Sequence, residues 1–296
     1  MVNRANNGRT VVVTGASTGL GRTTALKLAE AGFRVVAGVR RAADGEALIA
    51  GSAALTYAVI DVTDDRTIAA AADALAGPDG VWGLVNNAGI CVSAPVECLS
   101  SDDLRRQLET NVIGTLAVTR AFLPLLRTAG GRVVNVTSGL GSLVVPYLGA
   151  YAMAQFAKEA MSDALRRELA PAGVGVSVVR PGAIMTPIWA KVSQDGRGVL
   201  AAAPEPVTRL YRDTFLRFLA GNEAGARASR TRPEDVAAAV HHALASPRPK
   251  TRYSVGPDAT RGARIARLLP DRLIDRMFAG VVTSAPATEE TLRGAA

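Results

Sequence analysis

The sequence predicts one α/β domain with a doubly wound parallel sheet and helices on both faces. Strand-like runs of β-branched residues alternate with alanine-rich helical segments, and continuously apolar strands of this kind are typical of parallel sheets buried on both faces. The first of these strands leads directly into a glycine-rich turn. With 296 residues, 48% of them hydrophobic, the chain is long and apolar enough to bury one large core.

The elements follow one another in a regular β-α rhythm, for which right-handed crossovers are expected. We predict strands at Thr10–Thr14, Arg34–Val39, Leu55–Val59, Gly83–Val85, Arg132–Val136 and Val174–Val179. We predict helices at Gly21–Ala31, Asp65–Ala76, Ser101–Leu126, Ala150–Ala170 and Pro233–Ala245. The main domain is expected to span residues 1–256, with an insertion over a substrate site at about 183–231, followed by a basic helical extension at 257–296.

Composition excludes several classes of protein. Two cysteines and two histidines are too few for a disulfide framework or a zinc cluster, so no metal site is predicted. The net charge is +8, but the basic residues are scattered, so a solvated surface is favoured over a nucleic-acid groove. The charge-free stretch Val133–Ala157 contains too many polar residues and glycines to span a membrane, and the first ten residues lack an apolar core. We therefore expect a cytoplasmic protein without a transmembrane segment.

The glycine-rich turn is the first candidate site. Gly15, Gly19 and Gly21 have the spacing G-x-x-x-G-x-G, and the residues around them, Ser17, Thr18 and Leu20, lie between a strand and a helix. Such a turn presents backbone N–H groups at a helix N-terminus, where the dipole favours a pyrophosphate. An ordinary tight turn would look similar, but the position in a β-α-β unit favours a Rossmann-like dinucleotide site.

Further motifs along the chain strengthen this interpretation. Asp61-Val62 follows the third strand, and Asn86-Asn87-Ala88-Gly89 follows the fourth. Asn111 comes next, and Ser138 and Tyr151 are thirteen residues apart. The last motif is Arg180-Pro181-Gly182 with Thr186. Together with the glycine turn they resemble the short-chain dehydrogenase/reductase family, over roughly residues 8 to 256. This resemblance implies a Rossmann-like oxidoreductase that binds a nicotinamide dinucleotide.

The resemblance also assigns roles to single residues. It implies that Tyr151 exchanges a proton with the substrate oxygen, that Ser138 orients this oxygen, and that Asn111 holds a water in a proton relay. It implies the following cofactor-binding set: Gly15, Ser17, Thr18, Gly19, Leu20, Gly21, Arg40, Asp61, Val62, Asn87, Ala88, Gly89, Tyr151, Gln155, Pro181, Gly182, Ile184 and Thr186.

The end of the second strand bears on the choice between NAD and NADP. Folds that prefer NAD usually place a carboxylate there for the ribose 2′-hydroxyl, but this chain has Arg40 and Arg41, and Asp44 comes several residues later. The two guanidinium groups suit a 2′-phosphate, so NADP(H) is favoured over NAD(H). The alternative is that both arginines only solvate a loop.

The catalytic motif departs from the family at one position. The family has a lysine four residues after the tyrosine, and this chain has Gln155. A glutamine amide can still bind ribose hydroxyls, but it carries no charge to lower the pKa of the Tyr151 phenol. Lys158, on the same helical face, either supplies that charge or lies at a helix interface or in solvent.

Three functional hypotheses follow. The first is an NADP(H)-dependent oxidoreductase that interconverts an apolar, medium-sized alcohol and ketone. The second is a non-redox enzyme of the same fold, such as a dehydratase, epimerase or cyclase, and the third is a catalytically impaired protein that still binds the cofactor. Candidate pocket residues are Leu140, Leu143, Val144, Val145, Tyr147, Met185, Ile188, Trp189, Leu210, Tyr211, Phe215 and Phe218, although packing of a lid explains them equally well. The resemblance further implies a homodimer or homotetramer that assembles through the helices predicted at Ser101–Leu126 and Ala150–Ala170.

Overall fold

A seven-stranded parallel sheet forms the centre of the molecule, as shown by a computed structural model that describes residues 8–50 and 54–283. The strands are β1 Thr10–Thr14, β2 Arg34–Val39, β3 Leu55–Val59, β4 Gly83–Asn86, β5 Arg132–Val136, β6 Gly175–Pro181 and β7 Arg252–Val255. Their order is β3-β2-β1-β4-β5-β6-β7, which confirms the predicted fold class. The order reverses between β1 and β4, and ligands of doubly wound sheets bind at the carboxyl ends of the strands at such a point.

Eleven α-helices are present in the described residues. They are α1 Gly19–Glu30, α2 Ala42–Ile49, α3 Asp65–Ala74, α4 Ser101–Leu108, α5 Gly114–Ala129, α6 Gly149–Glu168, α7 Ile188–Ala202, α8 Glu205–Ala228, α9 Pro233–Ala245, α10 Pro257–Leu268 and α11 Asp271–Val282. Helix starts follow local chemistry: Ser100 and Asp103 form a capping box before α4, and Asp64 caps α3.

The two faces of the sheet bury separate apolar clusters because side chains alternate along each strand. On one face, Val11 and Val13 of β1 pack with Leu28 of α1 and Val240 of α9. On the other face, Val12 belongs to the cluster that includes Phe122 of α5 and Leu165 of α6. Helices α5 and α6 therefore lie on the same side, beside the carboxyl ends of β4 and β5.

Several elements differ from the sequence prediction, and two of them, α7 and α8, lie in the insertion for which no helix was predicted. Strand β7 and helix α2 were not predicted, because β7 has only four residues and α2 is an eight-residue helix with a glycine inside. The helix predicted at Ser101–Leu126 is divided into α4 and α5 by a π-helical turn at Glu109–Ile113. Such turns occur mostly where a helix carries a functional residue.

One helical run, Ser101–Ala129, is long and apolar enough to cross a membrane by length and composition. In the structure it covers the sheet, with Val118, Phe122 and Leu126 completely buried. A third of the apolar window is buried in the protein, whereas Ile113 and Leu116 are exposed, so contact with the sheet accounts for part of its apolar character.

The insertion and the extension both pack near the carboxyl end of the sheet. Helices α7 and α8 fill residues 188–228 and share a third apolar cluster with the segment after β4, including Val92 and Phe215. Helix α10 lies against the short turn Gly139–Gly141, and α11 packs on α8. Residues 284–296 of the predicted extension lie outside the described residues.

Candidate active site

The glycine-rich turn between β1 and α1 is held tightly against the end of β4. Gly15 and Gly19 adopt left-handed backbone conformations, with φ of 64° and 55°, which favour glycine. A Cβ at Gly15 would lie 2.9 Å from Ala88 Cα, and one at Gly21 would overlap the Gly15 carbonyl and the Asn87 amide. Asn87 Nδ2 donates to the carbonyl oxygens of Thr14 and Gly15 at 3.0 and 3.3 Å. Asn87 and Ala88 thus contact the turn from the end of β4, whereas Gly89 lies against the Asn111 side chain.

The N-terminus of α1 is open for an anion. Thr18 occupies the N-cap position without a side-chain capping bond, and no acidic residue lies in the first helical turn. The first N–H groups of a helix have no intrahelical acceptor, and the helix dipole adds partial positive charge there. The backbone N–H groups from Ser17 to Leu20 therefore fit a pyrophosphate.

The predicted adenosine end lies beside β2 and β3. Asp44 forms a two-pronged ion pair with Arg41, at 2.8 and 3.0 Å, whereas Arg40 is exposed at the end of β2. The Asp61 carboxylate accepts from both the N–H and the hydroxyl of Thr63, and Val62 is buried against Gly114. Asp61 thus stabilises the turn that follows β3. The ion pair of Arg41 leaves Arg40 as the arginine better placed for a phosphate.

The segment after β6 returns towards the glycine turn. Gly182 has no room for a Cβ beside the Asp258 carboxylate, which accepts from the Ala183 N–H at 2.6 Å. Ile184 is buried, and its carbonyl accepts from the indole of Trp189 at 2.8 Å. These contacts bring Thr186 next to Gly19, where a Cβ added to the glycine would lie 3.6 Å from Thr186 Cβ. Residues Pro181–Thr186 therefore border the same cleft as the glycine turn.

Asn111 lies in the π-helical turn and is almost completely buried. Its Oδ1 accepts from the Ile90 N–H at 2.9 Å, and its Nδ2 donates to the Ile90 carbonyl at 3.0 Å. Its own carbonyl accepts from the Thr115 hydroxyl at 2.8 Å. In this structure the side chain of Asn111 fixes the segment after β4, and its role in a water relay remains a prediction.

Ser138 and Tyr151 come together at the carboxyl end of β5. Ser138 follows β5, Tyr151 lies in the first turn of α6, and the serine hydroxyl is close enough to the phenol to influence its pKa. Burial in a site shared with the Cys91 thiol raises the pKa of Tyr151, and Ser138 only partly opposes this shift. Burial likewise raises the pKa of Cys91 to about 12. Both groups are therefore protonated at neutral pH.

Gln155 lies one helical turn after Tyr151 and is 2% exposed. Its Oε1 is buried without a hydrogen-bond partner among residues 8–50 and 54–283. Leaving a buried acceptor unpaired costs about 1 to 3 kcal/mol. A ribose hydroxyl would satisfy this atom, so the open N-terminus of α1 and the unpaired amide of Gln155 both fit a nicotinamide dinucleotide.

Lys158 is 1% exposed, and its Nζ donates to the Val136 carbonyl at 2.8 Å. Burial lowers its pKa to about 8, although the neighbouring Glu159 acts in the opposite direction. The Glu159 carboxylate is paired with Arg180 at 2.7 Å and with Arg252 at 3.1 Å. Lys158 thus packs between α6 and β5. Of the roles considered for this residue, this position is packing at an interface.

Sequence reasoning missed the residues that support the site from other elements. Buried Gln107 accepts from Val92 N–H at 2.7 Å and donates to the Ile90 carbonyl at 3.1 Å, which fixes the segment opposite Tyr151. Asp258 belongs to α10, a helix assigned to the extension. Gln107 and Asp258 have no motif of their own, and only their three-dimensional neighbours reveal these roles.

The fold and the site together define a class of protein. A glycine turn at the end of β1, at the point where strand order reverses, adjoins a serine–tyrosine pair at the end of β5. These features define a dinucleotide-binding α/β protein.

Comparisons with known proteins identify the family. A family profile described as short chain dehydrogenase matches residues 9–197. The chain is 42% identical over 273 residues to 3-amino-tetrahydro-pyrrolizinone reductase of Xenorhabdus hominickii, covering 91% of this chain and 94% of the relative. It is 36% identical to mouse retinol dehydrogenase 5, covering 92% and 88%. The chain therefore belongs to the short-chain dehydrogenase/reductase family and is an oxidoreductase of that type.

Solved structures agree with this assignment. A short chain dehydrogenase from Burkholderia cenocepacia, in complex with NADP, superimposes with a TM-score of 0.71 at 27% identity. The superposition covers 92% of this chain and 98% of the other. The cofactor class is thus a nicotinamide dinucleotide.

Proposed function

We propose that this protein interconverts an apolar alcohol and its ketone, with Tyr151 as the acid–base residue. The observation that carries the proposal is the Ser138–Tyr151 pair at the carboxyl end of β5, beside the cleft bordered by the glycine turn and Pro181–Thr186. When bound, a nicotinamide dinucleotide supplies or accepts the hydride. The protein's own residues then have to orient the substrate oxygen and move one proton.

Each residue of the pair has a distinct task. The Ser138 hydroxyl orients the substrate oxygen by a hydrogen bond, and the phenol of Tyr151 exchanges the proton with it. Gln155 accepts from a ribose hydroxyl through its unpaired Oε1. Asn111 and Gln107 keep the segment after β4 in place, which positions Cys91 opposite the phenol.

An open apolar cavity is the candidate site for the part of the substrate that does not react. It has a volume of about 600 Å³ and lies between α11 and the loop after Ser138, and its lining includes neither Ser138 nor Tyr151. Leu143 and Val144 of the loop and Ile274 and Phe278 of α11 line it. The predicted pocket residues Tyr147 and Phe215 instead pack edge to face in the core and are buried, so they belong to the scaffold of the lid.

Two carboxylates add a preference within this class. Asp271 and Asp275, one turn apart on α11, also border the cavity. An apolar ketone that carries an amine should therefore react better than a matched ketone that carries a carboxylate. The name of the Xenorhabdus relative, an amino-pyrrolizinone reductase, supports an amine-bearing substrate. Exchanging Asp275 for Asn should reduce the preference for the amine.

The proposed cofactor preference is NADP(H) over NAD(H). Arg40 supports it, because its exposed guanidinium lies at the end of β2 while Arg41 is engaged by Asp44. A guanidinium suits the 2′-phosphate that distinguishes NADP. Dissociation constants of NADPH and NADH, measured by quenching of tryptophan fluorescence, test this preference.

The central test is oxidation of NADPH with a panel of apolar ketones, followed by absorbance. Wild type should turn over, and Tyr151→Phe should lose at least 100-fold in kcat while binding NADPH with a similar Kd, because only the acidic hydroxyl is removed. Substrate conversion without cofactor oxidation would instead favour the non-redox hypothesis. Equal kcat in wild type and Tyr151→Phe would refute the role of Tyr151.

A further inference from the structure

We propose that the active site works as a reductase, in which Tyr151 begins each turnover as a protonated acid because Gln155 leaves it without a cationic partner. This inference rests on the proposed function and adds the direction of the reaction at neutral pH. Its basis is the set of charged and titratable groups around the phenol.

The groups that face Tyr151 from neighbouring elements are neutral. Ser138 comes from the end of β5, Cys91 from the segment after β4, and Gln155 from α6 itself. The thiol of Cys91 also keeps its proton, since burial and Asp195 both raise its pKa. None of the three can stabilise a phenolate by opposite charge.

The cations in this part of the structure have other partners. Arg180 and Arg252 are both paired with Glu159. Lys158 is two helical turns from Tyr151, about 10 Å along the axis, and its Nζ donates to the Val136 carbonyl. None of these three cations therefore takes the place of the positive charge that a lysine at position 155 would supply.

The chemistry follows from the protonation state. In reduction, a bound reduced nicotinamide would supply the hydride to the carbonyl carbon, and the phenolic O–H of Tyr151 breaks to give its proton to the carbonyl oxygen. The resulting phenolate then recovers a proton from solvent. In oxidation, the phenolate has to accept the alcohol proton, and only a small fraction of the protein carries it at pH 7.

The two directions should thus depend differently on pH. The rate of ketone reduction should be flat from pH 6 to 9, because the reactive acid is fully populated. The rate of alcohol oxidation should rise about tenfold per pH unit over the same range, as the phenolate fraction does. A rate of alcohol oxidation that is flat in this range would overturn the proposal.

Protonation can be measured without turnover. The protein contains five tyrosines, so the ¹³Cζ resonance of Tyr151 in tyrosine-labelled protein is assigned by its absence in Tyr151→Phe. We expect this resonance to stay at the neutral-phenol position up to pH 10. Titration below pH 9 would refute the inference. Because this experiment needs no substrate, a lack of turnover would count against the proposed function alone.

Three variants identify the source of the effect. Gln155→Lys should lower the titration midpoint of Tyr151 by at least one pH unit and raise alcohol oxidation at pH 7 about tenfold. Gln155→Met, the neutral control, should leave the midpoint unchanged. Lys158→Met should also leave it unchanged, and a rise of the midpoint in this variant would show that Lys158 is the hidden cation and overturn the proposal.

Discussion

Replacing Lys158 by Met should change the pH dependence of stability in a way that can be worked out from the structure. Lys158 is buried, with Nζ bonded only to the Val136 carbonyl among the described atoms, and burial lowers its pKa from 10.5 to about 8. At about 1.4 kcal/mol per pKa unit, burial of the charged ammonium lowers the free energy of unfolding at pH 7 by about 3 kcal/mol. Methionine has a similar shape and no charge.

The sign of the effect is set by proton binding. Below pH 8 the lysine is protonated in both the folded and the unfolded state, so the wild type bears the full cost. Between pH 8 and 10.5 the unfolded state holds one proton more than the folded state. The free energy of unfolding of the wild type therefore rises relative to the variant by about 1.4 kcal/mol per pH unit.

The loss of the bond to Val136 leaves one carbonyl unpaired, which costs the variant about 1 kcal/mol. Lys158→Met should thus be more stable than wild type by about 2 kcal/mol at pH 7 and less stable by about 1 kcal/mol near pH 10.5. The assay is urea unfolding at half-unit steps of pH. The exposed Lys250→Met serves as a control and should show a curve parallel to wild type. A parallel curve for Lys158→Met as well would refute the reasoning.

Three further predictions concern the cofactor site and assembly. Arg40→Ala should raise the Kd of NADPH roughly tenfold to a hundredfold, while the Kd of NADH changes less than twofold. Arg41→Ala should change both dissociation constants less, since Arg41 is paired with Asp44. Fluorescence titration measures these constants. Gly21→Ala should weaken binding of both cofactors at least tenfold, because its methyl group would overlap the turn, and equal affinity by calorimetry would contradict the role of the turn. The exposed side chains of Ile113 and Phe156 lie on the helices predicted to form a homo-oligomer, so Ile113→Glu with Phe156→Glu should convert a dimer or tetramer to monomer in sedimentation; a monomeric wild type would contradict the prediction.

Local sequence patterns were sufficient for the strands that form the centre of the sheet and for the glycine turn. The runs at β1, β2 and β5 are continuously apolar, and their buried positions leave few alternatives to a parallel sheet. Strand β7 escaped prediction because its four residues are stabilised by pairing with β6 and carry no pattern of their own. Helix α4 and helix α5 were predicted as one because a π-helical turn changes hydrogen bonding without interrupting the apolar pattern.

In the candidate site, too, some features follow from the sequence and others only from the tertiary structure. The sequence by itself determined which residue types are available: a serine and a tyrosine at the family's spacing, and a glutamine where the family has lysine. Only the tertiary structure decided what those residues experience. It placed the Lys158 ammonium against the Val136 carbonyl, left Gln155 Oε1 without a partner, and set the Cys91 thiol beside Tyr151. The physical reason is that protonation and hydrogen bonding depend on burial and on neighbours brought from distant parts of the chain, which spacing along the sequence does not encode.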